Sequence, residues 1–160
     1  MSSIVNPADA LPSFQIALDR GELYLQQCEK DKGLFVHPDQ TPHGIRLTYA
    51  RIENGIATAL AIYFNDEPLD GLPCFQVGWA VPEAYRQKGR ATATVRASLV
   101  ELEHGFSARG IIPSFYVEAV VGADNIASQK VAAATLSDTP DAGTDKFSGE
   151  PVLHYVKKIG

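Results

Sequence analysis

Apolar and polar residues alternate clearly in one part of the chain. Ile45, Leu47 and Tyr49 are separated by Arg46, Thr48 and Ala50, the two-residue period of a β-strand. Asn54-Gly55 follows, a pair that tolerates positive φ and favours a tight hairpin, and residues 56–64 supply the returning arm. Residues 74–80, Cys-Phe-Gln-Val-Gly-Trp-Ala, predict another strand. The period then changes. Val95, Leu99, Leu102 and Phe106 recur at four-three-four spacing, one face of a long helix, with Gly110 as a natural stop. Residues 115–121, Phe-Tyr-Val-Glu-Ala-Val-Val, are β-prone and nearly all apolar, which predicts a strand buried on both faces. Asp124 or Asn125 caps a helix over 126–135, and residues 151–159 predict a final strand.

Toward the N-terminus Ser13 caps a helix that presents Phe14, Ala17, Leu18, Leu25 and Cys28, with Gly21 placed to split it in two. Residues 30–44 carry Pro38 and Pro42 and are expected to be mostly loop. Residues 65–73, with Asp66, Pro68, Asp70, Gly71 and Pro73, are expected to be loop as well, as is the acidic segment 137–150. The predicted order is helix, hairpin, strand, helix, strand, helix, strand, with a right-handed crossover between parallel strands around the long helix. The expected class is α+β, a mixed sheet with helices on both faces, in one domain without repeats or linker.

Composition narrows the function classes. A length of 160 residues suits one core. A net charge of −5 argues against general nucleic-acid binding, which needs a basic face. No apolar run approaches the roughly 20 residues that cross a bilayer, and the first residues form no signal peptide, so no membrane partner is expected. Cys28 and Cys74 are far apart, and His37, His43, His104 and His154 are scattered. No metal site is therefore expected, and a cytoplasmic location with reduced thiols is.

Against this acidic background one basic stretch stands out: Val81-Pro82-Glu83-Ala84-Tyr85-Arg86-Gln87-Lys88-Gly89-Arg90-Ala91, between a predicted strand and the long helix. A helix N-terminus offers unpaired N–H donors and a partial positive charge, and Gly89 lets the backbone approach a ligand closely. The ligand this suggests is a pyrophosphate. Its segment Arg86-Gln87-Lys88-Gly89-Arg90-Ala91 resembles the Arg/Gln-x-x-Gly-x-Gly/Ala loop of the GNAT superfamily of acyl-CoA-dependent N-acyltransferases. Further on, Asn125-Ile126-Ala127-Ser128-Gln129-Lys130-Val131 is similar to the family's Asn-x-x-Ser-x-x-Val/Leu helix opening. The resemblance covers roughly residues 45–135.

The resemblance implies a GNAT-like, mostly antiparallel sheet and acetyl-CoA as co-substrate, with no metal. Backbone groups near Trp79, Ala80 and Val81 would pair with the pantetheine arm as an added strand. Amides of Gln87, Lys88, Gly89, Arg90 and Ala91 would cradle the pyrophosphate, and Arg86 and Arg90 would add charge. Asn125 either caps its helix or reaches the pantetheine, with Ser128 beside it. The implied reaction is direct attack of a primary amine, on a small molecule or a peptide, within a ternary complex. A homodimer is compatible with the resemblance.

Two departures qualify this. Ala132 stands where the family often has a Tyr that protonates the departing thiolate, and residues 74–81 lack the acidic residue that some members use as base. Glu118, mid-strand in an apolar run, is the leading base, its alternative being a structural carboxylate that has a buried partner or faces solvent. Tyr116 and Tyr155 are replacement acids or core residues, and Cys74 reads as a small buried thiol. His154 faces the acceptor or is simply core or surface. The acidic 138–150 segment would attract a cationic amine or is merely solvated. The alternative functions are a non-catalytic CoA-binding or regulatory module, and an interaction domain without cofactor.

Overall fold

In the computed structural model, which describes residues 7–160, eight strands form one sheet in the order β1-β2-β3-β4-β5-β6-β8-β7. They are β1 (Gln26–Gln27), β2 (Leu34–Thr41), β3 (Gly44–Glu53), β4 (Ile56–Leu69), β5 (Leu72–Ala80), β6 (Phe115–Gly122), β7 (Asp141–Thr144) and β8 (Pro151–Ile159). Neighbours run antiparallel except β5 and β6. Three helices accompany the sheet: α1 (Ala10–Asp19), α2 (Arg90–Leu102) and α3 (Ile126–Thr135). The α+β class, the crossover through α2 and the helices on both faces are as the sequence predicts.

The larger core lies between the sheet and α2 and α3. Val95, Leu99 and Leu102 of α2 and Ala132 of α3 bury against Tyr63, Phe75, Val77, Val117 and Tyr155. The fully buried Tyr63 satisfies its hydroxyl on Ser98 Oγ at 2.6 Å. Beyond α2 the chain widens into a single π-type turn, Glu103–Ser107, which turns Phe106 inward. Phe106 stacks on Phe75 at 5.9 Å, and Phe115 meets both rings edge-on. These rings tie β5 to β6 at the closed end of their pairing. On the opposite face a smaller core joins α1 to β3 and β4, with Phe14 on Ala50, Ala57, Leu60 and Ile62. Its cover ends there, so Tyr116, Glu118 and Val120 of β6 remain half-exposed on that side.

Glu101 of α2 is a buried carboxylate that fixes the start of the sheet. Its two oxygens accept backbone N–H bonds from Glu29, Lys30 and Asp31 at 3.0–3.2 Å. Four bonds from three N–H groups thus end on this one carboxylate. Arg51 and Asp31 pair beside it through two bonds of 2.8 Å.

Several expectations are corrected. Residues 34–41, expected as loop, form β2. Pro38 fits because β1 pairs only with Phe35 and Val36, leaving the outer edge of β2 open at residue 38, where a missing N–H costs little. Residues 65–73 are a hairpin rather than a loop: Asp70 (φ 49°) and Gly71 (φ 78°) make the turn, and an irregular register between Asp66 and Leu69 absorbs Pro68. Part of the 137–150 loop pairs as β7. The first helix starts at Ala10, so Ser13 lies inside it and donates to the Ala10 carbonyl. It stops before Gly21, whose φ of 66° closes the end, and Leu25 and Cys28 lie beyond it. Finally, β6 alternates between buried and half-buried residues, with only one face in the core.

Candidate functional site

β5 and β6 stay in register at only three positions: Cys74 with Tyr116, Phe75 with Val117, and Gln76 with Glu118. Beyond Gln76 and Glu118 they part, although β5 continues to Ala80 and β6 to Gly122. Each remains bonded to its outer neighbour, β4 and β8 respectively. The inner edges of residues 77–80 and 119–122 therefore face each other across a fork. A backbone edge without a strand partner holds donors and acceptors for an extended ligand. This is where the pantetheine contacts at Trp79, Ala80 and Val81 are expected.

A cleft of about 830 Å³ opens from this fork. Trp79, Ala80 and Val81 line it on the β5 side, and Asn125, Ser128 and Val131 line it on the α3 side. Its floor is the turn into α2. Gln87 (φ 63°) and Gly89 (φ 74°) are left-handed while Lys88 and Arg90 are not. Alternating backbone handedness turns successive N–H groups to one side and makes an anion-binding hollow. The first bond of α2 runs from Ala93 N–H to the Gly89 carbonyl, so the N–H groups of Arg90, Ala91 and Thr92 have no partner within the helix. A phosphate group suits that set.

The charges near the turn are partly engaged. Arg86 donates its Nε to the Val81 carbonyl at 2.9 Å, which pins the turn to the end of β5. Arg90 donates Nε to Glu53 Oε2 at 3.1 Å and Nη2 to Oε1 at 3.4 Å, with its guanidinium 5.1 Å from the centre of the Tyr85 ring. Arg90 holds Glu53 below the usual carboxylate range, with help from the Thr58 hydroxyl. Arg86, Gln87, Gly89, Arg90 and Ala91 all line the cleft. Lys88 is exposed and points out of that lining. Asn125 caps α3, its Oδ1 accepting the Ser128 N–H at 3.1 Å, and it lines the cleft together with Ser128.

A second cavity of about 340 Å³ lies on the α1 side of the fork, lined by Gln76, Gly78, Val120 and Gly122, among others. It shares Trp79, Asn125 and Ser128 with the first. The fork thus joins two chambers on opposite sides of the sheet. Gly78 is required here, because a Cβ would come within 2.6 Å of Pro7 Cγ. The N-terminal turn Pro7–Asp9 sits against β5 at this point.

Glu118 sits at the apex of the fork, on the open face of β6. Its Oε1 meets His154 Nδ1 of β8 at 2.7 Å, with side chains 17% and 29% exposed. The sequence places both residues on strands but gives no sign that they meet. The diagonal relation follows from the β6–β8 register, in which His154 lies opposite Val120. Tyr155 is buried in the main core and cannot serve as the acid, whereas Tyr116 stays on the open face. Ala132 is also buried in the core. Cys74 is buried, and its thiol is pushed up to about 12 by burial first and then by the charges of Glu118 and Asp66. Asp145 caps its own turn through the Ser148 N–H and hydroxyl. Among the described residues no cluster could hold a metal ion, and no helix is long and apolar enough to cross a membrane.

No model of a known protein family matches the chain, and no curated protein matches it. Solved structures do. The GNAT-family acetyltransferase from Streptococcus pneumoniae superposes with a TM-score of 0.52 at 14% identity, over 75% of this chain and 69% of that one. An N-acetyltransferase from Staphylococcus aureus Mu50 gives 0.53 at 18% identity, over 72% and 68%. RimL, a ribosomal L7/L12 alpha-N-protein acetyltransferase in complex with coenzyme A, gives 0.51 at 16% identity, over 71% of this chain but only 62% of its own length. The chain has the GNAT fold.

Proposed function

We propose that this protein transfers an acetyl group from acetyl-CoA to a primary amine by direct attack while both are bound. The observation that carries the reading is the fork after Gln76 and Glu118, with the left-handed 87–89 turn facing the same cleft. The fork suits the pantetheine arm and the turn suits the pyrophosphate. The fold shared with acetyltransferases, one of them solved with coenzyme A, supports the same assignment. The second cavity, joined to the first at Trp79 and Ser128, then receives the acceptor.

In this reaction the neutral amine forms a C–N bond to the thioester carbonyl and the C–S bond breaks. The thiolate of CoA leaves and takes up a proton. One proton from the attacking nitrogen passes to a base and then to solvent. Glu118 is the carboxylate at the apex of the fork and the base proposed here. Water protonates the thiolate, since Ala132 replaces the family tyrosine. That same residue favours one alternative, a CoA-binding module without turnover.

Calorimetry with CoA, followed by thiol release from acetyl-CoA across a panel of primary amines and peptide N-termini, tests the reading. Saturable CoA binding and amine-dependent thiol release are expected. Binding without release would select the non-catalytic module. Absence of binding would overturn both.

A further inference from the structure

We infer that His154 is the positioning residue for Glu118, and that Gly143 keeps His154 in place. The inference rests on the acetyl-transfer reading and assigns a role within that site. Three observations meet here. Glu118 belongs to the last in-register pair before β5 and β6 part, so it is the carboxylate of β6 nearest the fork. Its Oε1 accepts from His154 Nδ1 at 2.7 Å, while Oε2 has no protein partner among the described residues. The edge strand β7 passes close to the far side of the imidazole: a Cβ on Gly143 would lie 2.9 Å from Nε2 and 3.1 Å from Cδ2.

The ring is therefore held from two sides. Glu118 engages one nitrogen, and the bare backbone of Gly143 lies beside the other. A histidine fixed in this way donates through Nδ1–H and holds the carboxylate in one rotamer. The oxygen left over, Oε2, is the one available to take the proton that the amine nitrogen releases as its C–N bond forms, directly or through one water. The other titratable groups on this face of the neighbouring strands are Asp66, Cys74, Tyr116, Lys158 and, directly opposite His154 on β7, Asp141.

β7 is short and edge-placed, with Asp141 opposite His154 and Gly143 opposite Val152. A strand with a side chain at residue 143 would displace the imidazole, because the far end of His154 is the atom that must give way. Gly143 has no left-handed φ, so an alanine there brings no backbone strain and acts through His154.

The test compares His154→Ala, His154→Asn and Gly143→Ala with the wild type, measuring CoA affinity by calorimetry and thiol release with the best amine of the panel. His154→Ala should lower kcat about ten- to a hundredfold, the worth of a hydrogen bond to a charged group. CoA affinity should be unchanged. The loss should fall on kcat and leave the KM for the amine nearly unchanged. His154→Asn, whose amide N–H can replace Nδ1–H, should recover part of the loss. Gly143→Ala should lower kcat in the same direction with the fold intact. Folded His154→Ala and Gly143→Ala proteins with wild-type kcat would overturn the inference while leaving acetyl transfer standing. A wild-type protein that neither binds CoA nor releases thiol would overturn the acetyl-transfer reading, and the inference with it.

Discussion

Arg90 is bound to Glu53 across 37 residues of sequence, its Nε 3.1 Å from the carboxylate, at the mouth of the cleft proposed for the cofactor. The pair offsets the charge of Arg90 at the position where phosphates are expected. Glu53→Gln should therefore strengthen CoA binding about two- to fivefold at low salt, the range of an exposed ion pair. Arg90→Ala should weaken it. Both effects should shrink at high ionic strength. Titration calorimetry at two salt concentrations measures them, and a weaker-binding Glu53→Gln protein would show that Glu53 serves to aim Arg90.

Gly89 gives a sharper outcome. A side chain added there meets no protein atom within 4 Å, so the fold resists it only through the left-handed φ of 74°. That strain is worth about 1–2 kcal/mol. Gly89→Glu should stay folded with a modestly lower melting temperature and lose CoA binding, because its carboxylate repels the phosphates. Calorimetry that finds undiminished affinity in the folded variant would move the cofactor elsewhere.

Both cysteines should be silent in the native protein. Burial pushes each thiol up to about 12, with Glu101 and Asp31 adding to the effect at Cys28 and Glu118 and Asp66 at Cys74. Only a thiolate reacts quickly, so alkylation at pH 8 should label neither residue until denaturant is added, and then both. Mass spectrometry reads the count. Rapid native labelling of Cys74 would mean that the open face is more accessible than its 3% exposure implies.

Glu101 should prove costly to remove. Glu101→Ala strips the acceptor from the backbone N–H groups of Glu29, Lys30 and Asp31 and leaves a space beneath them. Leaving such groups unsatisfied is worth about 1–3 kcal/mol. Glu101→Gln should cost less, because its amide oxygen still accepts. Chemical denaturation measures both, and CoA affinity of the folded fraction should be unaffected.

Acid should loosen the same corner of the molecule. The Arg51 guanidinium holds Asp31 below the ordinary carboxylate range, and His104 and Arg109 do so for Glu29. A lowered native pKa adds stability that is complete above the unfolded value, roughly 4, and is lost as pH falls through the native one. Stability should thus decline below about pH 4, and less steeply in Asp31→Asn. Urea midpoints across that range test the sign.

The parts of the fold that read directly from the chain are those where one signal dominates. Residues 95–106 show a helical period, residues 45–49 alternate, and Asn125 stands where a cap belongs. In each case the structure follows. The misreadings occur where a breaker residue is tolerated by its surroundings. Pro38 sits on a strand edge that needs no donor, and Pro68 sits in a register irregularity; neither circumstance is visible locally. Asp70-Gly71 was a legible hairpin signal, obscured by the prolines on either side. The cleft-lining residues of the 86–91 turn were legible because they are contiguous. The Glu118–His154 contact was not, since it depends on how β6 and β8 align between residues 36 positions apart in the chain.

Between residues 77–80 and 119–122 the sheet is left as an unzipped edge on each side, closed at one end by Phe75, Phe106 and Phe115. Backbone amides that point into this opening exchange with solvent, while alternate amides on the same strands are protected by β4 and β8. Deuterium uptake should therefore be patchy within single strands of the free protein. A ligand lying along the opening would supply the missing rungs, slowing exchange on both sides of it at once and coupling the β1–β5 and β6–β8 parts of the sheet into one unfolding unit.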